Sequence, residues 1–351
     1  MTNYILRRLL YMLVVLLVVS GITFILMHAV PGGPFDKEKK LPPEIQAIKE
    51  KYYHLDDPLH VQYFSYLSLV TIPRITTTPP TMNTNDDFLI TAKVGNYWFK
   101  WMNFGPSITS RNRSVNDIFR EQLPVSFQLG TVALMIALVI GMPLGIMSAL
   151  NHNEWPDYLA MGVAIFGVSV PTIVLGPLLV WLFGVALQWL PPTGWGAKPP
   201  FVLGLFPSSL NWEYFQYAIL PAFVLGFGSS AVIARLTRAS MLQVIREDYI
   251  RTARAKGLRE RMVIMRHALK NALIPVVTVM GPLFAALVTG TFVTELVFGI
   301  PGLGRYFVTS ISNRDFPVIM GTVLLYAVFL VISNLIVDIV YGFLDPRIRY
   351  N

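Results

Sequence analysis

The chain of 351 residues contains no cysteine. This excludes a disulfide scaffold, a cysteine-ligated metal and a cysteine nucleophile, and it leaves the redox compartment unread. Charge is scarce too. Asp, Glu, Lys and Arg make up 14% of the chain, against about 25% in soluble domains. No Gly-Lys dipeptide occurs, so the chain lacks the G-x4-G-K-[ST] loop that cradles phosphates. If it works with ATP, hydrolysis takes place in another protein. The histidines, His28, His54, His60, His152 and His267, are scattered without ligand spacing, which argues against a metal site.

Apolar residues fill the space left by charge. They are 54% of the chain and lie in long blocks that a soluble core of this size cannot hide. A membrane span needs roughly 20 mostly apolar residues to cross about 30 Å of hydrocarbon. Six stretches meet that requirement without a single Asp, Glu, Lys or Arg: Leu9–Val30, Val125–Leu150, Tyr158–Leu182, Phe215–Ala234, Asn271–Thr294 and Phe316–Val337. The expected fold is therefore an all-α integral membrane protein with six transmembrane helices. Residues 183–190 read as an interfacial continuation of the third span, with Trp189 and Trp195 at headgroup level. Pro143, Pro171, Pro177, Pro221, Pro275 and Pro282 fall inside these stretches. A bundle tolerates them because neighbours re-satisfy the freed backbone groups. The first stretch is too long for the apolar core of a signal peptide and ends without an A-x-A site, so it reads as a retained span.

The net charge of +8 is local. With both termini inside, the cytoplasmic pieces 1–8, 151–157, 235–270 and 338–351 hold 14 Lys+Arg, and the short outer pieces 183–214 and 295–315 hold 3. That asymmetry obeys the positive-inside rule. Segment 235–270 alone has 10 basic and 3 acidic residues, so nucleic-acid binding is not needed to explain the charge. Such a loop is either a topology signal or a docking site. The organisation that follows is a first span with its N-terminus (1–30), a small extracytoplasmic domain between helices 1 and 2 (31–124), a five-helix core with a cytoplasmic loop at 235–270 (125–340), and a cytoplasmic tail (341–351). Within 31–124, Pro43–Tyr53 and Pro58–Val70 read as short helices opened by proline. Phe88–Trp101 reads as strand around a Gly95-Asn96 turn.

The loop is patterned. Met241, Ile245, Tyr249 and Ala253 fall on one helical face before Gly257, and Leu258, Met262, Met265, Leu269 and Ala272 repeat the pattern after it. Two amphipathic helices around one glycine are expected, with Gly257 ending the first in a left-handed conformation and setting the angle between them.

Arg251-Thr252-Ala253-Arg254-Ala255-Lys256-Gly257 resembles the signature loop of ABC importer permeases, E-A-A-x3-G-x9-I-x-L-P. Arg251 stands in the Glu place, Thr252 in an Ala place, His267 in the Ile place and Lys270 in the Pro place, while Leu269 matches. These departures are shared with the oligopeptide/dipeptide branch, similar to Y-x-R-T-A-R-A-K-G-L followed by R-H-A-L-[RK]-N-A-L-x-P. The chain matches that form at Tyr249–Leu258 and Arg266–Pro275. Further similarity lies in Ile5–Leu9, Pro31-Gly32-Gly33-Pro34, Leu55–Gln62, Gly105-Pro106-Ser107, Pro124-Val125-Ser126, Glu295 with Pro301-Gly302-Leu303-Gly304, and Asp345-Pro346-Arg347. Thr71–Lys100 departs from the branch.

The resemblance implies a type I ABC importer permease in the cytoplasmic (inner) membrane of a bacterium or archaeon, with both termini cytoplasmic. It implies a second, non-identical permease and an extracytoplasmic substrate-binding protein. It also implies two cytoplasmic ATPase subunits, which hold ATP and Mg and dock on Tyr249, Arg251, Thr252, Ala253, Arg254, Ala255, Lys256, Gly257, Leu258 and His267. The substrates it implies are most often oligopeptides or dipeptides, with nickel or glycosides in some relatives. No cofactor is expected on this chain. A basic amphipathic helix also fits anchoring on the lipid bilayer. A stand-alone secondary transporter or channel would need in-span ionisable residues or an inverted repeat, and neither is evident. A membrane-embedded enzyme would need convergent catalytic groups at one membrane face, and the isolated acids do not supply them. Two of those acids remain open. Glu295 is a gate at the outer mouth or a cap for the helix after it. Asp338 is a functional group or a structural bond to a neighbouring helix.

Overall fold

The computed structural model describes residues 2–35, 42–80, 84–110 and 112–344; Asp345-Pro346-Arg347 and the tail from 345 onward lie outside them. Among the described residues four helices are long and apolar enough to cross a membrane singly, and two bent pairs reach the length together. The single helices are α1 (Thr2–Ala29), α4 (Val115–Leu150), α7 (Trp212–Val244) and α14 (Phe316–Leu344). The second apolar run is the inner part of a longer rod. α4 begins ten residues before it, at a capping box in which Ser114 Oγ takes the Asp117 N–H and the Asp117 carboxylate takes the Ser114 N–H.

The third run is not one straight span. α5 (Trp155–Ser169) stops at Val170, which is extended, and α6 (Thr172–Leu179) restarts after Pro171 and runs on as a π-helical stretch, Val180–Ala186. The two arms meet at 99°. Proline removes a helical donor and pushes the residue before it out of the helical region, so the chain turns there. The 15 residues of α5 are about 22 Å long, less than a hydrocarbon core. Pro143, Pro221, Pro177 and Pro282 do lie inside helices, as a bundle allows. Pro275 occupies the first turn of α11 (Ile274–Val288).

The fifth run is also broken. α11 ends at Thr289, and α12 (Phe292–Val297) and α13 (Leu303–Asn313) follow as short pieces. Gly290, at φ +114, makes the break; a Cβ there would lie 2.6 Å from Gly304 Cα. Only glycine fits both that conformation and that approach.

The core is built on α4 against α7. Cβ atoms at Gly141 and Gly145 of α4 would meet the Ser230 and Ala234 carbonyl oxygens at 2.6 Å, and one at Gly226 of α7 would meet Ala133 O at 2.5 Å. The backbones touch directly, as small residues four apart permit in membranes.

The described residues of segment 31–124 include α2 (Pro43–Tyr52), α3 (Leu59–Thr71) and a three-stranded antiparallel sheet of β1 (Arg74–Thr76), β2 (Ile90–Val94) and β3 (Tyr97–Trp101), in the order β1-β3-β2. Pro43 opens α2 from its first turn, while Pro58 is the cap before α3. Gly95-Asn96 turns β2 into β3, pairing Val94 with Tyr97. Two ion pairs hold the later part of the Thr71–Lys100 stretch, one within it and one to α4. Buried Lys100 pairs with Asp86 at 3.0 Å. Arg120 of α4 grips Asp87 at 2.6 Å and also donates to the Phe88 carbonyl.

Candidate functional site

The loop after α7 forms α8 (Asp248–Ala255) and a second helical segment, α9 (Glu260–Met262), continued by a π-helical stretch Val263–Ala268 and α10 (Leu269–Ala272). Gly257 separates the two. It sits at φ +75, with the Gly257 N–H on Arg254 O at 2.9 Å and the Leu258 N–H on Ala253 O at 3.4 Å. That pair of bonds is the Schellman ending, which favours glycine at this position. Leu258 completes it by packing back on the cluster beneath.

Both segments stand on one apolar socket. Ile250, Ala253, Val263, Ala268 and Ala272 are buried against Met241 of α7 and Ala149 of α4. The first face differs slightly from the periodic expectation, with Ile250 inside and Tyr249 exposed, its hydroxyl accepting from Asn271 Nδ2 at 2.7 Å. The second face is shifted. Met262 and Met265, expected inside, are exposed, and Val263 and Ala268 take their place. The π-helical stretch accommodates an extra residue per turn and rotates every later side chain, so a pattern drawn at a constant helical period goes out of register there.

The outward surface is basic and polar. Arg251, Thr252, Arg254, Ala255, Lys256, Arg266 and Lys270 are exposed, and His267 is half-buried. Arg254 reaches across the glycine to Glu260 through two bonds of 2.6 and 3.1 Å, which staples the two segments together. Arg251 approaches Asp248 at 3.6 Å. The loop thus presents cations and two flexible methionines, over a core fixed to the ends of two long helices.

Glu295, in α12, is 1% exposed. It accepts from Ser126 Oγ at 2.7 Å and from the Arg305 N–H at 3.2 Å, in the first turn of α13. Gly302 leaves room for this carboxyl group, which a Cβ there would strike. The Pro301–Gly304 turn and Glu295 are one unit. Asp338 of α14 pairs with Arg8 of α1 at 2.8 Å, tying the first and last spans near one end.

Sequence reasoning passed over two buried carboxylates. Asp157, at the start of α5, receives Arg238 Nε at 2.9 Å, an Arg238 terminal nitrogen at 2.7 Å, the Asn153 N–H at 3.0 Å and Ser148 Oγ. His152 Nδ1 stands 3.4 Å away. Asp315, between α13 and α14, receives the N–H groups of Ile108 and Thr109 at 3.1 Å and the hydroxyls of Ser107 and Thr109. The sequence signal for each was slight: an acid bordering an apolar run at a helix start.

The profile of binding-protein-dependent transport system inner membrane components matches residues 141–350, and that of the corresponding N-terminal region matches residues 1–83. The chain is similar to the dipeptide transport system permease protein DppB of Bacillus subtilis, 42% identical over 350 residues that cover 99% of this chain and 98% of that one. It is similar over the full length of both chains to the oligopeptide transport system permease protein OppB of Escherichia coli, at 38% identity. Among solved structures, the MetNI methionine ABC transporter in inward-facing conformations aligns with a TM-score of 0.49 at 18% identity, over 64% of this chain and 94% of that chain.

Proposed function

This chain belongs to the binding-protein-dependent transport system inner membrane components, and from that membership we propose that it is the membrane-spanning permease subunit of an ATP-driven importer of peptides. The observation that carries the reading is end-to-end likeness to a dipeptide and an oligopeptide permease. The chain is a transport subunit in the inner membrane, crossing it several times, and works with ATPases that hydrolyse the nucleotide and with a substrate-binding protein. The finer assembly is two ATPases and a second, non-identical permease.

The loop is the ATPase site. A helix whose apolar face is fixed on its own protein offers a partner a rigidly held outward face. α8 has that support from the socket beneath Ile250 and Ala253. Tyr249, Arg251, Arg254 and Lys256 supply the outward contacts, with Met262 and Met265 as adaptable apolar ones. The excess of Lys+Arg in the pieces 1–8, 235–270 and 338–351 supports cytoplasmic termini and a cytoplasmic loop. Segment 31–124 then lies outside, where it offers a platform for the binding protein. The spans of the core 125–340 line the passage, and their apolar stretches are poor in charge, so selection rests with the binding protein. Introducing Asp at Thr289 leaves peptide preference unchanged on this view.

The test is to purify the tagged chain from its native membrane in mild detergent and identify its companions. Co-purifying ATPases and a second permease, with hydrolysis stimulated by a peptide-loaded binding protein, are expected. A chain that purifies alone and still moves solute into liposomes without ATP would overturn the reading.

A further inference from the structure

Asp157 is buried and is not part of the loop's outward face. Its side chain is 3% exposed and carries a charge. A carboxylate is tolerated in such a place when its oxygens are filled with donors, and here they are. Arg238 approaches with two different nitrogens, one on each oxygen. That forked geometry fixes angle as well as distance.

Its position gives the pair a use. Ser148, which donates to Asp157, adjoins Ala149 in the last turn of α4. Arg238 lies three residues before Met241 on α7. Ala149 and Met241 are the two spanning-helix residues buried in the socket under α8. The ion pair therefore sits about one helical turn above the seat of the loop helices, and it joins that seat to α5. Apolar packing in the socket is non-directional and permits sliding. The Asp157–Arg238 fork is directional and does not.

We propose that Asp157 and Arg238 form a strut that makes the end of α4, the end of α7, the start of α5 and the loop helices move as one body. A push on α8 is then delivered to α5, whose far end is the 99° bend at Pro171. Both are positioning residues for transport. The inference rests on the reading of the loop as the ATPase site.

The test uses the complete importer in proteoliposomes, with peptide uptake and ATP hydrolysis measured per assembled complex. Asp157→Asn keeps the side-chain shape but gives the fork one acceptor in place of two. Arg238→Lys keeps the charge but loses the fork. Asp157→Asn combined with Arg238→Gln removes both charges, so that a single variant failing to fold through an orphaned charge does not decide the matter. The expected result is that the double variant still assembles and hydrolyses ATP, while peptide moved per ATP falls at least five-fold. Arg238→Lys should fall in between. An unchanged ratio of peptide to ATP in the double variant would overturn the strut. So would uptake that falls only in proportion to the amount of assembled complex, since a purely structural role predicts that. If the unaltered chain fails to assemble with any ATPase, the functional reading fails first and the strut falls with it.

Discussion

Ser126 Oγ donates to Glu295 Oε1 at 2.7 Å while accepting the Leu303 N–H at 2.8 Å, so one hydroxyl on α4 joins a buried carboxylate to the start of α13. The free N–H groups at a helix start attract negative charge, and here the acid arrives from the preceding short helix. Glu295→Ala leaves the Arg305 N–H unmet and should cost on the order of 2 kcal/mol, read as a drop in the unfolding midpoint of the detergent-solubilised protein. Gly302→Ala should cost a comparable amount in the native background and much less in the Glu295→Ala background, since the obstruction is then gone. Additive costs in the double variant would show that the two residues do not act through each other.

Gly257 offers a graded experiment. Its left-handed backbone costs an L-residue roughly 1–2 kcal/mol, least for Asn and most for a β-branched side chain. Nothing lies within 4 Å of a Cβ at this position, so sterics with neighbours drop out. Uptake should decline in the order Gly, Asn, Ala, Val, with membrane insertion unaffected throughout. Full uptake by Gly257→Val would mean that the angle between the loop helices is immaterial.

The contact of α4 with α7 predicts a contrast between two glycines. A side chain at Gly145 has to displace the Ala234 backbone; Gly145→Val should cost about 3 kcal/mol or more and reduce the amount of folded protein. Gly162, in α5, has no neighbour within 4 Å of a Cβ. Gly162→Ala should be neutral or stabilising by up to about 1 kcal/mol. Expression and thermal stability of the two variants, compared side by side, check this; equal tolerance would contradict the backbone contact.

Asp315 holds the chain after Pro106 through two N–H groups and two hydroxyls. Asp315→Ala should release that stretch locally. Amide exchange at Ile108 and Thr109 is expected to quicken about 100-fold, the equivalent of roughly 3 kcal/mol for bonds to a charged acceptor, while exchange in α7 stays as it was. Unaltered exchange at those two amides would show that the loop is held by other means.

Long-range order was legible where a single physical rule dominates. Apolar length located the spans because hydrocarbon allows nothing else to cross, and the Schellman ending at Gly257 could be read from one residue between two apolar patterns. Failure came where two rules compete. In Tyr158–Leu182 hydropathy outvoted Pro171, yet the proline sets the path. At Met262 and Met265 a fixed period was assumed, and the π-helical stretch shifted the face to Val263 and Ala268. Asp157 and Asp315 were invisible for a different reason. Arg238 lies 81 residues from Asp157 and Ile108 lies 207 from Asp315, and no local pattern announces a contact of that span.

Helix α4 has 36 residues, which makes it about 54 Å long, against roughly 30 Å of hydrocarbon. Pro124 and Pro143 lie within it without ending it. At its first turns Ser114, Asn116 and Arg120 are bonded to the Asp87–Phe88 stretch and to the Met102 carbonyl, and at its last turn Ala149 is in the loop's seat. One uninterrupted rod thus has the Asp87–Phe88 stretch bonded at one tip and the basic loop seated at the other. A displacement of the Asp87–Phe88 stretch along this axis is carried to the loop's seat by a single covalent shaft, with no relay of separate parts between them.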